Sequence, residues 1–363
     1  MNKPKALYIH IPFCHNICHY CDFTKFLYYK DFATTYLKRL KEELDSYHID
    51  ELDTIYVGGG TPTSLDDDLF LELLKIIDTC SQNVKEYTFE ANPESLSVNK
   101  LKLMKEYGVN RISIGVETTD DEVLKNINRH HQYVDVQEAI KNVRELGFNN
   151  INVDLIIGLP GISVDQFKKD LENAISLDVD HISLYSLTVH EHTRFYIDKI
   201  CEPSEDYVVE AYDYANEYLK EHGFIHYEVS NFAKLGKESL HNLTYWRNER
   251  YFGVGLSASG YIDNYRYTNT RSLSKYLKGD NEKEIEEVSF QDEMEYQIML
   301  NLRTDEGIDL FQFQDKFGYD LYKENKKVID EYISSGHLYL ESGYLKPTHK
   351  GMMILDNIIL KLV

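Results

Sequence analysis

The stretch ALYIHIPFCHNICHYCDF, residues 6–23, decides the reading of this chain. A short apolar β-rich run, ALYIHI, leads into Cys14, Cys18 and Cys21, spaced C-x3-C-x2-C. The chain holds five cysteines in 363 residues, so three in one window of eight are not expected by accident. They are too close together for a disulfide framework, and the odd total argues the same way. A reducing cytoplasm is the expected compartment.

Working outward, hydrophobic residues make up 42% and charged residues 28%, an ordinary balance for a globular protein. The length suits one large domain plus a small one. A formal charge of −22 argues against a general role on nucleic acid or anionic membranes. The longest apolar runs, such as VDLIIGLPG, are far too short to span a bilayer. The start, MNKPKALYIHIPFC, has no uninterrupted apolar segment, so no secretion signal is expected.

From residue 6 to about 270, apolar β-rich runs alternate with helix-like segments. The expected strands are ALYIHI, TIYVGG, EYTFEA, RISIGV, INVDLIIG and HISLYSL. Apolar i, i+3, i+4 spacing predicts helices at 31–48, 66–80, 97–107, 119–127, 133–146 and 164–177. Six strands, each followed by a helix, imply a parallel sheet with right-handed crossovers. The expectation is an α/β fold, a partial (β/α)6 TIM-type barrel over residues 1–275. The charged segment 275–293 reads as a linker or exposed helix. Beyond it, over residues 285–363, helices, a two-strand ribbon and a last helix form a small winged-helix-like domain. The acidic balance makes protein docking, not DNA, its expected use.

Three readings compete for the cysteines. Structural zinc needs a fourth ligand, which His10, His15 or His19 would supply. Incidental buried thiols are a second reading, though the segment is rich in polar residues. A [4Fe–4S] cluster fits best, because three thiolates leave one iron open to a small molecule. Downstream, GGGTPTSL (58–65) follows a strand, and its glycines let a ligand approach the backbone; it also reads as a plain strand-to-helix turn. Glu90, Glu117 and Asp154 lie on successive strands, and acids at the C-terminal ends of barrel strands converge on one mouth. Arg129 suits a ligand carboxylate as a two-pronged donor, or it is a surface arginine.

The C-x3-C-x2-C motif after a first strand, with the glycine motif, resembles the radical S-adenosylmethionine (SAM) proteins. That resemblance implies a cluster held by Cys14, Cys18 and Cys21, with SAM chelating the open iron and cleaved to a 5′-deoxyadenosyl radical. Gly59, Gly60 and Thr61 would then contact the methionine amino group. The spacings of Tyr8, Tyr20, Glu90, Glu117, Arg129 and Asp154 resemble SAM-binding positions in the oxygen-independent coproporphyrinogen III oxidase branch. Tyr8 would pack near the cluster and Tyr20 near adenine. One departure is Glu117, where the family usually carries glutamine.

The resemblance runs through HYEVSNFA (226–233) and HNLTYWRNERYFGVGLSASGY (241–261) to the C-terminal domain, and it is nearest the heme chaperones of that branch. Cys21 is followed by Asp22 and Phe23, where the oxidases usually have another cysteine. Cys14 lies near the first residue, where they carry a longer N-terminal segment. HNLTYW matches a motif associated with heme binding, which implies His241 as an iron ligand, with Tyr245 and Trp246 facing the porphyrin. Arg247 and Arg250 would meet the propionates. The competing reading is a buried histidine beside core aromatics. The expected protein binds a [4Fe–4S] cluster, SAM and heme, and delivers heme to respiratory hemoproteins. Room is left for peripheral membrane contact through the acceptor and for a homodimer. The alternatives are an enzyme that oxidatively decarboxylates coproporphyrinogen III and a carrier that never cleaves SAM.

Overall fold

The computed structural model describes residues 3–363. Six strands pair in chain order, all parallel: β1 (Ala6–Ile11), β2 (Thr54–Gly59), β3 (Glu86–Ala91), β4 (Arg111–Glu117), β5 (Ile151–Ile157) and β6 (His181–Ser186). The helices Lys30–Ser46, Asp67–Asp78, Val98–Glu106, Tyr133–Glu145, Val164–Ser176 and Glu205–Glu221 follow successive strands. Each expected helix lies within two residues of an observed one. Ser97, Ser163 and Ser204 cap three of them, each side chain accepting a bond from the first turn's backbone.

Side chains alternate along each strand, and the two faces differ in kind. Ile55, Val57, Phe89, Ile112, Ile114, Val153 and Leu155 are buried in the main apolar core. The intervening positions, Tyr56, Glu90, Arg111, Ser113, Asn152, Asp154 and Ser183, line a cavity inside the barrel. The barrel interior is therefore polar.

The sheet extends well beyond six strands. Next to β6 lie the antiparallel β7 (Phe224–Glu228) and β8 (Asn231–Lys234), with β8 innermost. Beside β1 runs β9 (Tyr251–Val254), parallel to it, followed by the antiparallel β10 (Ser259–Ile262), β11 (Tyr265–Asn269) and β12 (Lys283–Glu287). Thus part of the segment expected as a linker or exposed helix is an edge strand. Its sequence, KEIEE, is charged because β12 is outermost and mostly exposed, and charges on an edge oppose further pairing.

The C-terminal domain has its own core, including Met294, Ile298, Phe313, Ile329, Leu345 and Ile358. The helices Phe290–Asn301, Leu310–Phe317 and Lys326–Ser334 precede a ribbon of Leu338–Glu341 with Tyr344–Pro347, to which Ile308–Asp309 adds a third strand. This is the winged-helix-like arrangement. Backbone bonds from Val229 N–H to the Arg303 carbonyl (3.0 Å) and from Asp305 N–H to the Tyr227 carbonyl (2.9 Å) join it to the barrel. Among the described residues, no helix is long and apolar enough to cross a membrane.

Glu43 ties the first helix to the added strands. Its carboxylate accepts from Gly255 N–H (3.0 Å), Tyr276 OH (2.7 Å) and Asn269 Nδ2 (2.7 Å). Glu43→Ala strands those donors and is expected to cost about 1–3 kcal/mol. Urea unfolding measures the loss, and an unchanged midpoint would show that the cluster is not a fastening.

Candidate functional site

The cysteine loop is framed by backbone before any cofactor is considered. Phe13–Cys14 pairs in parallel with Phe26–Leu27, and Tyr28 N–H reaches the Cys14 carbonyl at 2.9 Å. His19 N–H bonds the Ile127 carbonyl (3.0 Å), and Asn128 Nδ2 bonds the Ile17 carbonyl (2.8 Å). His10, on β1, donates from Nε2 to the Thr24 carbonyl at 2.8 Å. Because a carbonyl only accepts, Nδ1 must then accept from Tyr8 OH, 2.9 Å away. Burial holds His10 down to about 4, so it stays neutral and serves as a loop clamp.

Cys14, Cys18 and Cys21 line one cavity of about 420 Å³ together with Tyr20, Gly59, Gly60, Thr61, Glu90, Glu117, Arg129 and Asp154. Tyr8 does not line it; it stands behind, holding His10, because its hydroxyl is already committed there. His10, His15 and His19, the three histidines of the zinc reading, do not line it either; the histidine on its wall is His190. Among the described residues, no group of three His, Cys, Asp or Glu side chains is arranged to hold a metal ion by itself. Burial pushes the Cys14 thiol up to about 11. A thiolate there therefore needs a cationic partner, which the iron of a cluster supplies.

The glycine turn works differently from a simple open cradle. Gly60 N–H bonds the Ile11 carbonyl and Thr61 N–H the Phe13 carbonyl, both at 2.8 Å, while Gly59 N–H bonds Glu90 Oε2 at 2.9 Å. A Cβ on Gly59 would strike the His10 ring, and φ there is +110°, a conformation that favours glycine. With its N–H groups taken, the turn can offer a ligand only carbonyl oxygen, which suits an ammonium donor. Tyr56 OH also donates to Glu90, at 2.8 Å. Burial nonetheless pushes the Glu90 carboxyl up to about 7, and burial with the Glu117 charge pushes Asp154 up to about 6.

Glu117 ends β4 at a register shift, with φ +67°, and forms a buried ion pair with Arg129. Arg129 also donates to Asn92 Oδ1 (2.7 Å) and the Gly115 carbonyl (3.2 Å). Its Nε is buried and has no partner, and the residue lines the cavity. Carbonyl acceptors on one side and an unsatisfied guanidinium donor on the other fit an amino acid's ammonium and carboxylate.

The HNLTYW segment lies elsewhere. It forms the helix Leu240–Trp246, whose backbone N–H groups at Leu240 and His241 bond Glu86 at 3.1 and 2.9 Å. His241 is 1% exposed; Nδ1 meets Thr54 Oγ1 at 2.8 Å and Nε2 meets Tyr245 OH at 2.7 Å. Both ring nitrogens are thus committed, leaving no lone pair for iron in this arrangement. Tyr245 packs edge-on against Tyr251, with ring centroids 4.5 Å apart. Trp246 packs against the small core of Tyr227, Ala233 and Leu243, and its carbonyl accepts from Asn301 (2.7 Å). These three residues help fasten the barrel's end to its neighbour, and Tyr245 and Trp246 are half-buried. Arg247 pairs with Glu306 and Arg250 with Glu293, so both are likewise spent on the C-terminal domain.

A carboxyl raised by burial weakens the fold as it ionises. The Glu90 penalty is absent below its ordinary value of 4.5, grows as pH rises, and is complete above about 7. Glu90→Gln should therefore flatten the fall in Tm over that window. Parallel Tm–pH curves for parent and variant would contradict the buried-acid description.

The sequence profile of the Radical SAM superfamily matches residues 8–174, and that of the HemN C-terminal domain matches residues 288–354. Heme chaperone HemW of Bacillus subtilis is 38% identical over 96% of this chain and 97% of its own. Heme chaperone HemW of Lactococcus lactis is 39% identical over 99% and 98%. Among solved structures, the coproporphyrinogen III oxidase HemN of Escherichia coli has a TM-score of 0.85 over 99% of this chain and 90% of that one. At 22% identity that likeness speaks for the fold. With end-to-end similarity of this kind around a three-cysteine barrel, the chain belongs to the radical SAM superfamily and, within it, to the HemW family.

Proposed function

We propose that this chain is a radical SAM heme chaperone that holds a [4Fe–4S] cluster and SAM and hands heme to acceptor hemoproteins, respiratory ones among them. The observation that carries this reading is full-length similarity to chains named heme chaperone HemW. In this reading Cys14, Cys18 and Cys21 ligate the cluster. Such a cluster, when reduced, supplies an electron to a bound sulfonium. Carbonyls of Gly59–Thr61 and the Glu90 carboxyl accept from the ammonium of SAM, and Arg129 takes its carboxylate. Tyr20 stacks near adenine, while Glu117 and Asp154 accept from the ribose. Tyr8 acts through His10, which holds the loop. The iron ligand for heme is not assigned to His241, whose nitrogens are committed. Contact with a membrane comes, in this reading, only through the acceptor.

Anaerobically reconstituted protein given SAM, reductant and hemin is expected to hold heme and release it to an apo-hemoprotein, and to leave coproporphyrinogen III unconsumed. Alanine at any of the three cysteines should remove the cluster's visible absorbance. Steady loss of coproporphyrinogen, or no heme held, would overturn the reading.

Glu117 competes with a ligand carboxylate for Arg129, and replacing a charged partner by a neutral one gives up about 1 kcal/mol. Glu117→Gln should therefore tighten SAM binding roughly fivefold in an equilibrium titration. A loss of similar size would show that the ribose contact needs the charge of Glu117 and not only its oxygen acceptor.

A further inference from the structure

The closed end of the cavity holds a cation with no partner. Arg111, the first residue of β4, is 2% exposed and lines the cavity. Its Nε is buried and unbonded. Arg129 makes an ion pair and two further bonds, whereas Arg111 has neither bond nor pair among the described residues. The carboxylates on this wall bond elsewhere: Glu90 to Tyr56 and Gly59, and Asp154 to Ser113 (3.4 Å) and Asn152 (2.8 Å). A guanidinium taken out of water without a hydrogen-bonded partner is costly, and its fork matches a carboxylate.

Arg111 is four residues before Gly115, hence about 13 Å further from the barrel mouth along the strand. The residues proposed for SAM cluster at the other end: the cysteine loop, the glycine turn, Glu117 and Arg129. Below Arg111 the barrel is plugged by the helix Leu240–Trp246, anchored on Thr54 and Glu86, the first residues of β2 and β3. One residue of that helix reaches the cavity, Asn242, and its side-chain amide makes no hydrogen bond among the described residues. A free guanidinium and a free amide thus share the floor. Glu90 and Asp154 disfavour a multiply charged anion there, which leaves a monoanionic carboxylate as the best fit.

We propose that Arg111 and Asn242 form a carboxylate subsite at the closed end of the barrel, and that it receives a propionate arm of the tetrapyrrole. The ligand's identity rests on the heme-chaperone reading; the subsite rests on the unpartnered arginine. It also gives the HNLTYW segment a ligand contact through its asparagine, not its histidine.

The test compares hemin with hemin dimethyl ester on the cluster- and SAM-loaded protein, following the Soret band and the fluorescence of the single tryptophan. Parent protein should prefer hemin over the ester by about tenfold, as expected of a charge-assisted carboxylate contact. Arg111→Gln should reduce the preference to about threefold or less. Asn242→Asp, which adds a like charge at the floor, should weaken hemin and spare the ester. Asn242→Asp decides the matter if Arg111→Gln does not fold. A preference kept in both variants, or absent from the parent, overturns the subsite while the chaperone reading stands. A parent that holds no hemin overturns both.

Discussion

The parallel ladder between Ala6–Ile11 and Thr54–Gly59 does not stop where the strands end. It continues as Gly60 N–H to Ile11 and Thr61 N–H to Phe13, two more bonds that carry the pairing into the cysteine loop. Cys14 follows directly, and Thr61 Oγ1 lies 3.6 Å from its sulfur. A Cβ on Gly60 would collide with the Phe13 and Ile11 backbone, so this approach requires glycine. One ladder therefore sets both walls of the cavity mouth, the thiol loop and the glycine turn. His10, on the same strand, clamps the far side of the loop at Thr24. Displacing this pair of strands would displace both the thiol loop and the glycine turn.

The residues legible in the sequence were those whose spacing carries the information. Three cysteines at a fixed interval, a glycine run after a strand and acids on successive strands all end up facing one space. Helices were legible because period-3.6 patterns on long segments are strong. The added strands were not, because β7 to β11 have only four or five residues each and β12 is charged. The two readings of His241 stayed open in the sequence because a motif names residues without saying which way they face. Next to it in the chain, Asn242 enters the cavity while His241 turns away to Thr54 and Tyr245. The link from Tyr8 through His10 to Thr24 had no sequence signal either, because spacing on one strand face does not show which way a ring is turned. Arg111 had no sequence signal at all, since an arginine at the start of a strand is ordinarily solvated.

A polar barrel interior has to be organised, and here it is organised in a chain. Asn152 donates to Ser113 (2.7 Å) and Asp154 and meets His181 Nδ1 at 2.6 Å; His181 Nε2 meets Tyr227 OH at 2.8 Å. That hydroxyl accepts Ser239 N–H, at the cap of the plug helix. Since Tyr227 also pairs by its carbonyl with Asp305, the cavity wall is connected through hydrogen bonds to the C-terminal domain. Satisfied networks of this kind fix one arrangement of side chains. The two arginines differ in this respect: Arg129 is anchored and Arg111 is not.

The pairing of β1 with β9 sets an order of events during synthesis. β1 emerges first from the ribosome, yet one of its two neighbours, Tyr251–Val254, is made only after most of the chain. Pairing across so long a separation is slow, and until it happens β1 is an exposed edge. The cysteine loop grows directly from that strand, one edge of which stays open until the barrel's last parallel partner has arrived. A chain truncated before residue 251 would thus leave the strand that leads into the thiols with one unpaired edge, open to pairing with another chain.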